Sequence, residues 1–258
     1  MNKSQLDDLS SWFDRYVEPF LNTDAEGKKN IQLKIEHTRK VCEAMGDLSA
    51  GEKLSANESH IAAAIALLHD VGRFRQYQRW RTFLDRDSDN HARLAIEAIR
   101  DENILVDIAD SEVILIEEAV RFHNLLTPPA IIQSPTRLYI NLIRDADKLD
   151  IWRLFVELLS QPTEDRASAA TLGLPDLPET VSGGCIAALN SGSIVPLDTI
   201  NCLNDFKLLQ ISWVYDLNFA TSRRLLEKRG YIPALASTLP RQRGVREGVS
   251  KALYSLSA

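Results

Sequence analysis

The sequence predicts an all-α fold, and three observations carry that expectation. Nearly every apolar-periodic stretch repeats near 3.6 residues. Proline and glycine gather in one stretch, from Pro162 through Gly173, Pro175, Pro178, Gly183, Gly184 and Gly192 to Pro196, and leave the rest largely uninterrupted. Repeats, heptads and low-complexity tracts are absent. Residues 4–22 read as an amphipathic opener with Leu6, Leu9, Trp12, Phe13 and Tyr16 on one face. Helices follow over 29–47, 57–71, 90–101, 110–124 and 136–160. Gly72 reads as a helix C-terminal glycine, which puts His69 and Asp70 at a helix end beside a loop. Asp89-Asn90 reads as an N-cap for the next helix. The stretch 161–200 reads as loop and short helices, with a strand possible at 185–188. Helices resume over 203–229 and 241–256. With 258 residues, 45% of them hydrophobic, the chain can bury one sizeable core. The expectation is a single domain over 1–258, with its core at about 30–160 and C-terminal helices over 201–258.

The chemistry concentrates in the doublet His69-Asp70, which ends the apolar run of residues 61–68. An imidazole and a carboxylate cost free energy when buried unless a cation or a hydrogen-bonding partner compensates them. His37 has Leu33 and Val41 at i±4, so it lies on an apolar stripe; His69 has Ile65 at i−4. His123 follows Ala119 and Ile116, and Asp147 stands between Ile143 and Ile151 at i±4. A lone histidine on such a face is more often a hydrogen-bonded core residue than a ligand. Taken jointly, four helices each turn a ligand-type residue inward, in a chain with five histidines. His60, opening its helix, reads as solvated. Nitrogen and oxygen donors together suit Mn, Fe, Co or Zn, with Mg the poorest match to imidazole.

The order His37, then His69-Asp70, then Asp147 resembles the H…HD…D signature of the HD-domain superfamily of metal-dependent phosphohydrolases. The wording of residues 67–74, of Asn90-His91-Ala92-Arg93-Leu94-Ala95, of Phe122-His123-Asn124 and of residues 143–150 is similar to a bacterial subfamily of stand-alone HD proteins. The resemblance spans residues 30–160, and more weakly 211–232. It implies an HD-domain helical bundle with additional N- and C-terminal helices. It also implies one divalent metal ion held by His37, His69, Asp70 and Asp147. Asp145 and Asp147 lie about 200° apart around a helix, so at most one faces the site; the family's Ala-Asp-Lys-Leu context selects Asp147. Some members hold a second metal with the doublet's Asp bridging, and His91 and His123 are placed for it here. Without a second metal, those two histidines would contact phosphate or relay protons.

The implied activity is hydrolysis of a nucleotide or other small phosphate ester by a metal-activated water. Asp70, His91 and His123 are the candidate catalytic residues, with Arg73, Arg144 and Lys148 as phosphate-holding cations. The alternatives are an HD-fold dinuclear-iron oxygenase and a non-catalytic regulatory module that binds metal and ligand. Residues 122–129 lack the tyrosine-proline wording of the cyclic-dinucleotide phosphodiesterase branch, and there is no second catalytic domain of the alarmone synthetase-hydrolase kind. No Ser-His-Asp triad, phosphate-binding Gly-rich loop or dinucleotide fingerprint competes.

A net charge of −6 and a pI near 5.5 argue against coating nucleic acid or a membrane surface. The segment Arg73-Phe74-Arg75-Gln76-Tyr77-Gln78-Arg79-Trp80-Arg81 interleaves arginines with aromatics as nucleic-acid patches do, but reads first as a loop that packs its rings and solvates its charges. Substrate specificity is expected in loops 73–89 and 125–135. Three irregularly spaced cysteines give neither a zinc motif nor a disulfide framework. With no signal peptide and no apolar stretch of about 20 residues, the expected compartment is the cytoplasm. The expected partner is a small phosphorylated substrate; a homo-oligomer is left open.

Overall fold

The computed structural model describes residues 1–162 and 166–257. Residues 163–165 of the irregular stretch, and Ala258 at the end of the C-terminal segment, lie outside the described residues. Among the described residues the chain is helical without strands, so the stretch at 185–188 is helix; the helical propensity of Cys185-Ile186-Ala187-Ala188 prevails there. Two compact units contain the described residues: Met1–Asp150 with Ala167–Leu172, and Ile151–Arg166 with Gly173–Ala258.

The first unit begins with α1 (Lys3–Val17), opened by a capping box in which Asn2 and Gln5 satisfy each other's backbone N–H groups. A 3-10 turn at Glu18–Leu21 ends the segment predicted as one helix, with Pro19 in its first turn. Helix α2 (Ala25–Gly51) starts at Asp24, whose side chain accepts from the Gly27 N–H at 2.6 Å. Helix α3 (Ala56–Leu68) starts with a second capping box, Ser55 with Glu58, and buries Ile61, Ile65 and Leu68. α2 packs against α3, α3 against α1 and the helix Asp110–Phe122, and the helix Gly72–Trp80 against the helix His91–Asp101. Helix α5 (His91–Asp101) is capped by Asn90, whose side-chain Oδ1 accepts from the Arg93 N–H. Helix α6 (Asp110–Phe122) ends at His123. Helix α7 (Thr136–Ser160) is buried around nearly its whole circumference between Leu142 and Asp150, the mark of a central core helix.

One segment corrects the sequence reading. Residues 73–80, expected to be loop, belong to α4 (Gly72–Trp80), and Gly72 opens that helix instead of closing α3. A Cβ on Gly72 would fall on the carbonyl oxygen of His91 and the amide nitrogen of Ala95. The glycine therefore serves close helix approach, bringing the doublet within reach of His91. The arginines are held in place: Arg75 pairs with Asp101 at 2.6 Å, and Arg81 makes two bonds to the Asp24 carboxylate. Phe74 packs edge-on against Phe13 and Tyr16.

In the second unit, α8 (Gly183–Ser191) packs on α9 (Leu203–Ser212) and α12 (Arg243–Ser257), and α11 (Tyr231–Ser237) joins α10 (Ala220–Arg229) to α9. Trp152 and Phe155, from the end of α7, meet Trp213 and Phe206 edge-on, and the Trp152 indole donates to the Gln210 carbonyl at 3.0 Å. No helix of the described residues is long and apolar enough to cross a membrane.

Candidate metal centre

Five helices of the first unit deliver the site. α2 supplies His37 from its middle. α3 ends at His69, with Asp70 in the turn before α4. α5 begins with His91, α6 stops at His123, and α7 presents Asp147 from its interior. All four histidines and Asp70 are at least 95% buried. His37, His69 and Asp70 form one group whose ligand atoms lie within 4.8 Å of one another; His69, His123 and Asp147 form a second, and Asp70, His91 and His123 a third. His60 is not in these groups: it is half-buried, with Nδ1 3.4 Å from the Met1 carbonyl oxygen.

The imidazoles are oriented in one consistent way. Nδ1 of His69 lies 2.8 Å from the Ala66 carbonyl oxygen, and Nδ1 of His123 lies 2.7 Å from that of Val120. A carbonyl only accepts, so both rings carry their proton on Nδ1. Nδ1 of His37 meets Asp150 at 2.7 Å, and Nδ1 of His91 meets Asp85 at 2.7 Å, with the ring nitrogen again the donor. Every Nε2 is thereby left to the interior. Nε2 of His37 and of His69 have no hydrogen-bond partner among the described residues, although Asp147 Oδ1 lies 3.1 Å from the first. Nε2 of His91 and of His123 face each other at 3.1 Å. Arg73 Nη2 lies 3.3 Å from the first of these, while the two buried nitrogens without a hydrogen-bond partner, on His37 and His69, fit a metal ion.

The electrostatics favour positive charge in the same space. Burial pushes the Asp70 carboxyl up, but Lys34, His69, Arg73 and His91 outweigh it and hold it well below the usual carboxylate range. Asp147 is lowered too, burial being overcome by His37 and His69. Burial, followed by Arg73, pushes His91 down to about 4; burial, followed by His69, does the same to His123. His69 is lowered mainly by burial. Near neutral pH these three are neutral imidazoles. His37 differs: burial and Lys34 oppose its charged form, yet Asp147 and Asp150 prevail and raise it.

Asp70 divides the site. Its Oδ2 lies 3.6 Å from His37 Nε2 and 3.7 Å from His69 Nε2, while Oδ1 lies 3.7 Å from His91 Nε2. Lys34 pairs with Oδ2 at 2.8 Å, and Arg73 Nε approaches Oδ1 at 3.4 Å. The rest of the Arg73 guanidinium reaches Asp85, Gln76, the Phe83 carbonyl and His91 Nε2. Arg144 is buried and donates to the carbonyls of His123, Leu125 and Leu126. Lys148 and Asp145 are buried as well.

Sequence reasoning missed Lys34, Asp85 and Asp150. Lys34 is one turn before His37 and Asp150 one turn after Asp147, so a search along each helix face for charges at i±3 would have found both. Asp85 sits in a turn without periodicity, and only the fold brings it to His91.

Residues 35–152 match the family model of the HD domain. No curated protein and no solved structure matches the chain.

Proposed function

Residues 35–152 form an HD domain, and from that premise we propose that the chain is a metal-dependent phosphohydrolase acting on a nucleotide or another small phosphate ester. The observation that carries this reading is the convergence of four imidazole Nε2 atoms and two carboxylates on one buried space, with each Nδ1 already committed elsewhere. His37, His69, Asp70 and Asp147 would hold one divalent ion of the Mn, Fe, Co, Zn or Mg class; Asp70, His91 and His123 would hold a second. A bound ion of this kind supplies an acidified water nucleophile and neutralises charge on phosphoryl oxygens.

The chain's own residues do the rest. Lys34 and Arg73, flanking Asp70, offer an ammonium and a guanidinium to substrate phosphate, and buried Lys148 adds charge beside Asp147 in the chain. Such local cations are needed because the chain as a whole is acidic. Arg144 acts by positioning: its bonds to the carbonyls of 123–126 fix the segment that follows His123. Asp85 and Asp150 orient His91 and His37. A histidine neutral near pH 7 can take a proton at Nε2 from the attacking water when its metal position is empty.

The test is phosphate release from nucleotides and sugar phosphates by chelator-treated protein, before and after adding each divalent ion. The expected result is activity that returns with metal in the wild type and not in Asp70→Ala. Absence of release with every ion and substrate would overturn the reading. The second ligand group also favours a second reading, a dinuclear-iron oxygenase. A tightly bound iron pair together with oxygen consumption would select it.

A further inference from the structure

Helix α4 serves two places in the first unit. It sends Arg73 and Gln76 toward Asp85 and His91, and it lines a separate groove of about 580 Å³ with Arg75, Arg79 and Trp80. The groove's other wall comes from the end of α1 and the turn after it, with Arg15, Tyr16 and Phe20. None of the six candidate metal ligands lines it.

Its lining combines flat rings with three arginines and two glutamates. Tyr16 stacks on Trp12 at 4.7 Å and leans on Phe20 at 5.3 Å. The Arg79 guanidinium lies over the Trp80 ring at 4.6 Å. Arg75 is neutralised by Asp101 and Glu102, while Glu97, the other acid in the lining, is taken by Arg93. Arg15 and Arg79 are exposed and make no ion pair among the described residues. Two free cations therefore stand at the rim of a ring-lined groove, in a chain whose net charge gives no general attraction for anions. The volume lies in the range of small-molecule sites, roughly 300–1,000 Å³. Free phosphate would leave the aromatic wall unused, and an apolar ring compound would leave the arginines unused. A ligand with both a flat base and a phosphate uses each.

We propose that this groove is a second ligand site, distinct from the metal centre, that takes a nucleotide, with the base against Trp80 and the Tyr16–Phe20 wall and the phosphates on Arg15 and Arg79. Arg79 and Trp80, the part of the 73–81 segment that neither the metal centre nor an ion pair accounts for, then have a use.

The experiment is calorimetric titration of the chelator-treated full chain with ADP, adenosine and inorganic phosphate. ADP is expected to bind, with adenosine and phosphate each at least tenfold weaker. The double variant Arg15→Ala/Arg79→Ala should weaken ADP at least tenfold with its circular dichroism unchanged. Trp80→Leu should weaken ADP and adenosine alike, and Asp70→Asn should leave ADP binding as it was. Four results would overturn the proposal: no ADP binding by the wild type, phosphate binding as tight as ADP, ADP affinity that survives the double variant, or ADP affinity that is lost in Asp70→Asn. Because the metal centre is empty and mutated separately, failure here leaves the hydrolase reading standing, and the reverse holds too.

Discussion

Asp70 in the first unit and Asp205 in the second are both buried carboxylates, 3% and 0% exposed, and both are held below the usual carboxylate range. They get there by different means. Asp205 accepts from the Ser182 N–H and hydroxyl at 2.7 Å each and from the Asn201 N–H at 2.9 Å, tying the segments that precede α8 and α9. Those neutral donors outweigh the cost of its burial, and it serves as a knot in the architecture. Asp70 faces Lys34, Arg73 and the inward nitrogens of three histidines. Burial of a carboxylate is thus no mark of a site by itself. What distinguishes Asp70 is that the groups around it are lone pairs and cations, an arrangement completed by another positive charge.

Substituting each carboxylate should separate function from stability. Asp70→Asn is expected to lower bound metal and metal-dependent phosphate release by roughly 100- to 1,000-fold, the scale of losing a principal electrostatic group from an active site. Its unfolding in chelator should shift less than that of Asp205→Ala. Elemental analysis and denaturant titration check both halves, and equal metal content in wild type and Asp70→Asn would break the comparison.

Asp205→Ala should do the opposite. Leaving two N–H groups without their charged acceptor costs about 3 kcal/mol of stability, while the metal bound per folded molecule stays at the wild-type level. A denaturation midpoint equal to wild type would show that Asp205 is no knot.

The carboxylates behind the histidines come next in size. Asp150→Asn and Asp85→Asn should each weaken metal affinity by about 10- to 100-fold without abolishing it, as loss of an orienting partner does. Metal titration of each variant measures this, and unchanged affinity in both would mean that Nδ1 anchoring is not what orders the site.

A further effect is on pH dependence. His91 and His123 are held at about 4 in the folded chain against an ordinary 6.5. Between those values the unfolded chain binds more protons, so their contribution to stability is complete above pH 6.5 and is lost as pH falls toward 4. His37, raised, works in the opposite sense: its contribution is complete below its ordinary value and is lost as pH rises through the raised one. The double variant His91→Gln/His123→Gln, in chelator, should flatten the acid-side loss. A wild-type slope in that variant would assign the loss to other groups.

Much of this was legible in the sequence because helices write their buried face at fixed spacing. His37 and Asp147 could be placed by their i±4 neighbours, and the structure puts their side chains 3.1 Å apart. Around the turns spacing carries no such information. Gly72 carries the same signal whether it ends one helix or starts the next, and only the approach of α5 decides between them. The segment 73–80 was hidden for the same reason: its arginines suggest solvent, yet tertiary partners such as Asp101 hold Arg75 in a packed helix. Asp85 reaches His91 from an irregular turn, so no periodic reading could pair them.

The most direct test of the central claim is a crystal of the chain soaked in Mn²⁺ and measured at a wavelength where manganese scatters anomalously. An anomalous peak is expected among His37 Nε2, His69 Nε2, Asp70 and Asp147, and on fuller occupancy a second one at Asp70, His91 and His123. A peak only elsewhere on the chain, or none at saturating Mn²⁺, would contradict it.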